Sequence, residues 1–360
     1  MNAITIPRAV REDWRWADLP ALEAAAETPS AQTGVDIAAQ FLDLDGPRLA
    51  FVDGRFEPAR SRPGKVAVER LSLESDHPLG NRATDEGWSL TLGDEHATGP
   101  VQIVHVSTGG ENHVPARIAL AEDAVAEVIE TFVGHGWANR LTRITLGEGA
   151  RLMRSVRLLQ SDGFVSIRDE AEVGAAASLV SIFLGAGGMG SRIDGHIRVT
   201  GEGGFAEMGG ALLTRGDQRQ EAAVALRHQA EFGTSKQIWR AVAADRSTAS
   251  LAARVEVARG AQKTDGEQSL RGLLLQRTAT INLKPELEIF ADDVKCAHGA
   301  TVGELDRQAL FYLQSRGIDR ARATALLTRA FVADAIDRIG DDTVRTAFAA
   351  DADRWLESAS

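Results

Sequence analysis

The segment FADDVKCAHG, residues 290–299, contains the only cysteine of the chain, Cys296, followed two places later by His298. A thiolate and an imidazole are a suitable ligand pair for iron, zinc or copper, and a protonated histidine would lower the pKa of a neighbouring thiol. In an extended segment, side chains two apart share a face, so Asp292, Cys296 and His298 would project together, with Asp292 the weaker candidate. Two ligands do not hold a cluster, which normally needs about four. The pattern therefore indicates half of a metal site, a reactive thiol, or a cysteine that only fills the core.

A glycine-rich match, GAGGMG at 185–190, satisfies the G-x-G-x-x-G pattern of dinucleotide-binding folds. The following residues, SRIDGHIRV, alternate like a strand where that fold requires a helix. The match therefore predicts a turn, and we expect the isolated chain to bind neither NAD nor ATP. The sequence also has no H-E-x-x-H zinc pair and no G-x-S-x-G nucleophile turn. His228, on the line of Val224 and Leu226, is predicted to be a hydrogen-bonded core residue.

Composition narrows the class of partner. The chain has 360 residues, 44% of them hydrophobic, and a formal net charge of -11 without a basic run. That charge argues against binding of nucleic acid or of an anionic membrane surface. No apolar stretch approaches the roughly 20 residues that span a bilayer, and no signal peptide is visible, so a cytoplasmic location is expected. One cysteine excludes an internal disulfide and any CxxC site.

The middle of the chain alternates between apolar and polar residues, which predicts many half-buried strands. The best-marked strands recur every 23 to 31 residues, without helical patterns long enough to form crossovers between most of them. Their apolar markers are Ile144, Ile167, Ile197, Val224, Val255 and Ile281. This spacing favours a parallel β-solenoid, while the alternation alone also permits an antiparallel sandwich or barrel.

Helical patterns flank this region. A helix is predicted within 8–27, where Pro20 either interrupts it or starts a second one, and residues 41–100 are predicted to be loops and short strands. After His298 a capping box at Thr301–Glu304 predicts a helix that stops at Gly317. A second helix is predicted from Asp319 to Gly340, and a third over 342–357. The apolar stripe of the second helix would face the β body or another subunit; the stripe comprises Ala323, Leu326, Leu327, Ala330, Phe331 and Ile336.

The segment KPELEIFADDVKCAHGATVGELDRQALFYLQSRGI, residues 284–318, resembles the SufB/SufD family of the SUF iron-sulfur cluster assembly system. Two further segments support the resemblance. GAQKTDGEQSLRGLLL at 260–275 is similar to the family's TD-x-x-Q segment, and EDWRWADL near the start is similar to its W-[RK]-aromatic segment. A single cysteine favours the SufD branch, because SufB is usually longer and richer in cysteine.

The resemblance implies a mainly β fold, a right-handed parallel β-helix (β-solenoid) flanked by N-terminal and C-terminal helical regions. The expected boundaries are a mostly helical region at 1–60, a β-helix core at 61–297 and a helical domain at 298–360. It also implies a scaffold and adaptor subunit without catalytic activity, which pairs with SufB and docks the ABC-type ATPase SufC. A cytosolic β-helical enzyme acting on a small molecule or carbohydrate is the alternative.

The resemblance also suggests roles for particular residues. Cys296 and His298 match the family's Cys-x-His near the SufB interface, which implies a transient iron-sulfur cluster shared with SufB and none bound stably by the isolated chain. The isolated chain could form a homodimer. The helices after 301 match the SufC-binding region, whose expected apolar contacts are Leu310, Phe311, Leu326, Leu327 and Phe331.

Overall fold

A computed structural model describes residues 12–31, 34–80, 82, 86–93 and 99–357, and it contains eighteen strands and four α-helices in those ranges. The strands are β1 (Arg48–Val52), β2 (Arg55–Phe56), β3 (Ala67–Glu69), β4 (Gly87–Leu92), β5 (Val101–His113), β6 (Ala116–Leu120), β7 (Val125–Leu146), β8 (Arg151–Leu158), β9 (Phe164–Val173), β10 (Ser178–Gly185), β11 (Gly190–Val199), β12 (Phe205–Thr214), β13 (Arg219–His228), β14 (Thr234–Ala243), β15 (Thr248–Val257), β16 (Asp265–Leu274), β17 (Thr280–Ile289) and β18 (Lys295–Glu304). The helices are α1 (Leu19–Glu27), α2 (Arg307–Ser315), α3 (Arg320–Ile336) and α4 (Asp342–Glu357).

From β7 onward the strands form two parallel stacks. The first part of β7 begins the even stack, which continues through β8, β10, β12, β14, β16 and β18. The last part of β7 begins the odd stack, which continues through β9, β11, β13, β15 and β17. Register is regular: Ser178 pairs with Phe205, and Phe205 pairs with Thr234. The predicted parallel β-solenoid is confirmed, and the antiparallel alternative is wrong for these strands.

Apolar side chains from both stacks meet inside the solenoid, in a space called the lumen below. Trp239 and Leu270 of the even stack belong to the same buried cluster as Leu251 and Ala253 of the odd stack. The lumen also contains buried charges. Arg154 donates to Asp169 at 2.5 Å and to Glu130 at 3.1 Å. Burial of such groups is tolerated because each is paired with an opposite charge.

The corners that lead into the even stack use left-handed backbone conformations. These residues are Asp123, Gly149, Ala176, Gly203, Phe232 and Lys263, with φ between 50° and 68°. The amide of each donates to a carbonyl in the next corner, as Ala176 does to Glu202 at 2.8 Å. The same left-handed conformation is therefore repeated in six successive corners, which bond to one another.

Ala176 offers a test of this corner geometry. A non-glycine residue pays roughly 1–2 kcal/mol in the left-handed region, whereas glycine pays about 0.4–1 kcal/mol in unfolded-state entropy. We therefore expect Ala176→Gly to raise the free energy of unfolding by about 0.5–1 kcal/mol in urea titrations. Ala175→Gly is the control, since Ala175 lacks positive φ and should only lose stability. Equal destabilisation by both changes would contradict the account.

The predicted helix within 8–27 is confirmed where the structure describes it, but the described residues up to 60 are not mostly helical, since they include strands β1 and β2 and several loops. Asp18 caps α1 by accepting a hydrogen bond from the Ala21 amide at 3.2 Å, and Pro20 lies in the first turn, so it starts a helix rather than interrupting one. Residues 1–11 lie outside the described residues. The expected boundary at 61 is too late, because β1 already pairs in parallel with β5.

The predicted capping box at Thr301–Glu304 is wrong, since these residues end β18, where Thr301 pairs with Arg271. The helix starts after Asp306, whose side chain accepts hydrogen bonds from two amides of α2. The helical region therefore begins at Arg307 and not at 298. Gly317, with φ 84°, ends α2 as predicted.

The two last helices agree more closely with prediction. Asp319 caps α3 through the Arg322 amide at 2.9 Å, although α3 stops at Ile336, four residues before Gly340. The predicted third helix over 342–357 coincides with α4. Within the described ranges, no helix has both the length and the apolar character needed to cross a bilayer.

The helices α3 and α4 pack on the outer face of the even stack. Ile182, Leu213 and Val242 of the strands share a cluster with Val332 and Phe348 of the helices. Two ion pairs among the described residues, Arg157–Asp351 and Arg240–Asp334, join strand to helix, and Glu207 pairs with Arg338 in the connection between α3 and α4. The predicted stripe is only partly buried, because Leu326 and Ala330 face outward.

Candidate functional site

The solenoid ends in two strands that each have one paired edge. In the part of the chain that the structure describes, β17 pairs only with β15, and β18 pairs only with β16. Strand β18 is largely exposed and β17 is mostly half-buried, and Ile289 and Val302 are among the exposed large apolar residues. A strand with a free edge presents unpaired amide and carbonyl groups that can pair with another chain. This end of the lumen is called the open end below.

Cys296 and His298 both lie on the lumen face of β18. Cys296 pairs with Gly266 and His298 with Gln268, and the side chain of Gln268 is buried in the lumen. Cys296 packs against a buried apolar cluster at the end of the odd stack, which includes Val257. The alternation of the strand therefore places the thiol and the imidazole side by side at the open end, as the spacing predicted.

Asp292 does not share this arrangement. Residues 291–294 form the corner before β18, in which the Asp293 carbonyl accepts from the Lys263 amide. The prediction that Asp292 projects with Cys296 and His298 assumed an extended segment and is wrong for that reason. Among the residues that the structure describes, no group of three His, Cys, Asp or Glu side chains could hold a metal ion.

Cys296 is half-buried, whereas His298 is exposed. Burial raises the pKa of the Cys296 thiol, and the Asp265 carboxylate adds to this effect, while a hydrogen bond with the Gly266 backbone opposes it. The lowered thiol pKa expected from a nearby histidine is therefore absent in the isolated chain. The site consists of a protonated thiol and an accessible imidazole.

The five predicted contacts on the C-terminal helices differ in exposure. Phe311 is 72% exposed and Leu326 is 38% exposed, whereas Leu310 is buried. Leu327 and Phe331 are half-buried, and Phe331 packs against the cluster between helices and strands. Tyr312, which the sequence analysis did not select, is 57% exposed. Phe311, Tyr312 and Leu326 are called the tail surface below.

The glycine-rich match at 185–190 connects β10 to β11, which confirms the predicted turn. Its amides bond to the preceding turn of the solenoid: Ala186 donates to Leu158 at 3.1 Å, and Gly188 donates to Gln160. In a dinucleotide site such amides would point at phosphate oxygens. The local geometry thus differs from that of a nucleotide-binding loop.

His228 is a core residue, as predicted. Its ring is fully buried, and Nε2 lies 2.9 Å from the Ser235 hydroxyl. Burial lowers the pKa of His228 to about 4, so the ring is neutral at physiological pH.

A cleft of about 270 Å³ lies beneath the N-terminal segment, against the outer face of the odd stack. Arg192 at its base donates to Asp194 at 2.7 Å and to Glu221 at 2.6 Å, and the Trp14 ring covers the guanidinium at 3.9 Å. These buried charges bind one another and the indole. The cluster therefore fastens the N-terminal segment to the solenoid.

Comparison with known proteins gives a consistent result. A family model described as "SUF system FeS cluster assembly, SufBD core domain" matches residues 104–331. The iron-sulfur cluster assembly protein SufD of Escherichia coli is 28% identical over 94% of this chain and 87% of its own length. Protein ABCI7 of Arabidopsis thaliana chloroplasts is 31% identical over 68% of this chain and 50% of its own length. A SufBD family protein of Synechocystis, slr0076, is 24% identical over 94% and 85%.

Proposed function

Because the chain belongs to the SufBD core family of the SUF system, we propose that it is a non-catalytic scaffold and adaptor that pairs with SufB and docks SufC. The proposal includes a contribution to a nascent iron-sulfur cluster at the SufB interface. The observation that carries it is the position of Cys296 and His298 on the last, half-open strand of the solenoid. There a partner chain can reach both donors without unfolding this one.

The free edges of β17 and β18 support pairing with SufB. Among the described residues, backbone groups along both strands have no ladder partner on one side, and exposed apolar residues such as Phe290 flank them. A partner strand would satisfy the backbone groups and cover the apolar surface at once. In the isolated chain, a second copy of the same chain could pair with these strand edges instead.

The cluster is the cargo of this site. Cys296 and His298 supply two donors, so SufB must supply the remainder of the roughly four that a cluster needs. Since the raised pKa keeps the thiol protonated, metal binding must displace a proton, which makes binding by this chain weaker and dependent on pH. Weak ligation suits a site that passes its cluster on.

The tail surface supports docking of SufC. It exposes two aromatic rings and a leucine on α2 and α3, while the opposite side of α3 is fixed to the even stack. Buried aromatic and aliphatic anchors dominate protein interfaces. Leu310, by contrast, acts through packing within its own chain.

Phe311→Asp should test the docking surface without disturbing the fold, because the ring is mostly exposed. We expect the affinity for SufC to fall at least about tenfold, since losing an aromatic anchor costs on the order of 2 kcal/mol. The measurement is calorimetric titration of SufC into the complete chain. Met189→Asp, an exposed apolar residue in a solenoid corner, is the control and should bind SufC normally. Equal affinity for both variants would place the docking surface elsewhere.

The proposal as a whole is tested by expressing the chain with SufB and SufC and measuring the mass of the product by light scattering. A complex containing all three chains is expected. Elution of this chain apart from both partners, with the partners associating normally without it, would overturn the adaptor function.

A further inference from the structure

We infer that Gln268 is a positioning residue for His298, with its buried amide oxygen accepting a hydrogen bond from the Nδ1–H of the imidazole. This bond would leave the Nε2 electron pair free for a metal. The inference rests on the proposed function for its consequence, because a free Nε2 matters only where His298 is a ligand. The hydrogen bond itself can be tested without any partner.

Gln268 has an acceptor that requires explanation. Gln268 is 1% exposed, and its Nε2 donates to the Glu286 carbonyl at 3.3 Å. The Oε1 atom is buried and has no hydrogen-bond partner among the described residues. A buried acceptor without a partner costs free energy, so a donor is expected nearby.

His298 is the residue placed to supply that donor. It pairs directly with Gln268 in the β16–β18 ladder, and parallel strands lie about 4.8 Å apart, so the two side chains occupy neighbouring positions on the lumen face. Nδ1 is the ring nitrogen closer to the backbone and hence to the neighbouring strand. Nε2 lies at the far end of the ring, which can turn toward the open end.

The bond would determine which nitrogen of the neutral ring carries the proton. A neutral imidazole donates from one nitrogen and accepts at the other, and metal-bound histidines usually donate their second N–H to a fixed acceptor. Gln268 is fixed by its own bond to Glu286, so it can hold the ring in one orientation. His298 would then be ready for metal before any partner arrives.

Gln237 provides a matched control one turn further inside the solenoid. It pairs with Gln268 in the β14–β16 ladder, its Nε2 donates to the Arg254 carbonyl at 3.0 Å, and its Oε1 also has no partner among the described residues. Gln237 does not neighbour His298. A change at Gln237 therefore repeats the loss of a lumen amide without touching the imidazole.

The experiment measures the ring ¹⁵N chemical shifts of His298 in the complete chain at a pH where the imidazole is neutral, with assignment by loss of the signals in His298→Asn. We expect mainly the Nδ1–H form in wild type. In Gln268→Leu the ratio of the Nδ1–H to the Nε2–H form should fall about five- to tenfold. Gln268→Glu, which keeps an acceptor oxygen, should retain the Nδ1–H form, and Gln237→Leu should match wild type.

Two results would overturn the inference: an unchanged tautomer ratio in Gln268→Leu, or the same change in Gln237→Leu. The proposed function fails in a different way. If the shifts respond as expected but His298→Ala leaves cluster formation on the complex unchanged, Gln268 orients a histidine that is not a ligand.

Discussion

Replacing Asp351 by alanine should lower the free energy of unfolding by about 3–5 kcal/mol, because it leaves a buried guanidinium without its partner. Arg157 of β8 donates from Nε and Nη2 to both carboxylate oxygens of Asp351, at 2.6 and 3.1 Å, and both side chains are buried. The pair fixes α4 to the outer face of the even stack. Its loss should destabilise the docked helices most.

The matched control is Asp353→Ala, which removes a neighbouring carboxylate of the same helix. Asp353 pairs with the half-exposed Arg329 at 2.6 Å, and exposed pairs contribute about 1 kcal/mol or less. Urea unfolding followed by circular dichroism compares the two variants. The double change Arg157→Met, Asp351→Leu should recover most of the stability, since it removes both charges together. Equal losses from Asp351→Ala and Asp353→Ala would show that the buried pair is unimportant.

The sequence predicts the odd stack better than the even stack, and the reason is burial. Strands of the odd stack have one face toward the lumen and the other largely polar, as in β13, so their residues alternate. In β12, Ala206 and Met208 face the lumen, while Ala211 and Leu213 are covered by the helices. A strand buried on both faces loses its alternation, so the period-two pattern does not reveal it.

Local signals also compete with strand pairing. Thr301–Glu304 satisfies the capping-box pattern, but its backbone pairs with β16, and Asp306 caps the helix instead. The lumen charges Glu130, Arg154 and Asp169 could not be predicted either, because their burial depends on the register of three different strands.

The residues of the candidate site were also predicted with unequal success. Cys296 and His298 are side by side because the strand period applies to both, whereas Asp292 falls in a corner that the extended-segment argument did not foresee. For the C-terminal region, the apolar stripe predicted the helix correctly but did not predict which of its faces is exposed. Which side of α3 is covered depends on the even stack, and the helix sequence alone does not contain that information.

The second large effect is expected from Cys296→Ala combined with His298→Ala. Neither change should disturb folding, because His298 is exposed and alanine in place of a half-buried cysteine is mild. If the two residues are ligands of the nascent cluster, the amount of cluster formed on the complex with SufB and SufC should fall roughly tenfold or more, since even outer-shell changes cost 10–100-fold in metal affinity. His298→Ala alone should be at least as harmful as Cys296→Ala alone.

Two controls separate ligation from packing. Val302→Ala changes the same face of the same strand without removing a donor atom, and it should leave cluster formation at the wild-type level. If Cys296 serves only in packing, Cys296→Ser should reduce stability, because it places a hydroxyl in an apolar cluster, and Cys296→Ala should have little effect on any readout.

The most direct measurement is the iron and sulfide content of the assembled complex after reconstitution, compared between wild type and the Cys296→Ala, His298→Ala double variant. The account predicts an intact complex of unchanged mass with its iron and sulfide reduced roughly tenfold. An intact double-variant complex with wild-type iron and sulfide would contradict it and return Cys296 to the role of a core residue.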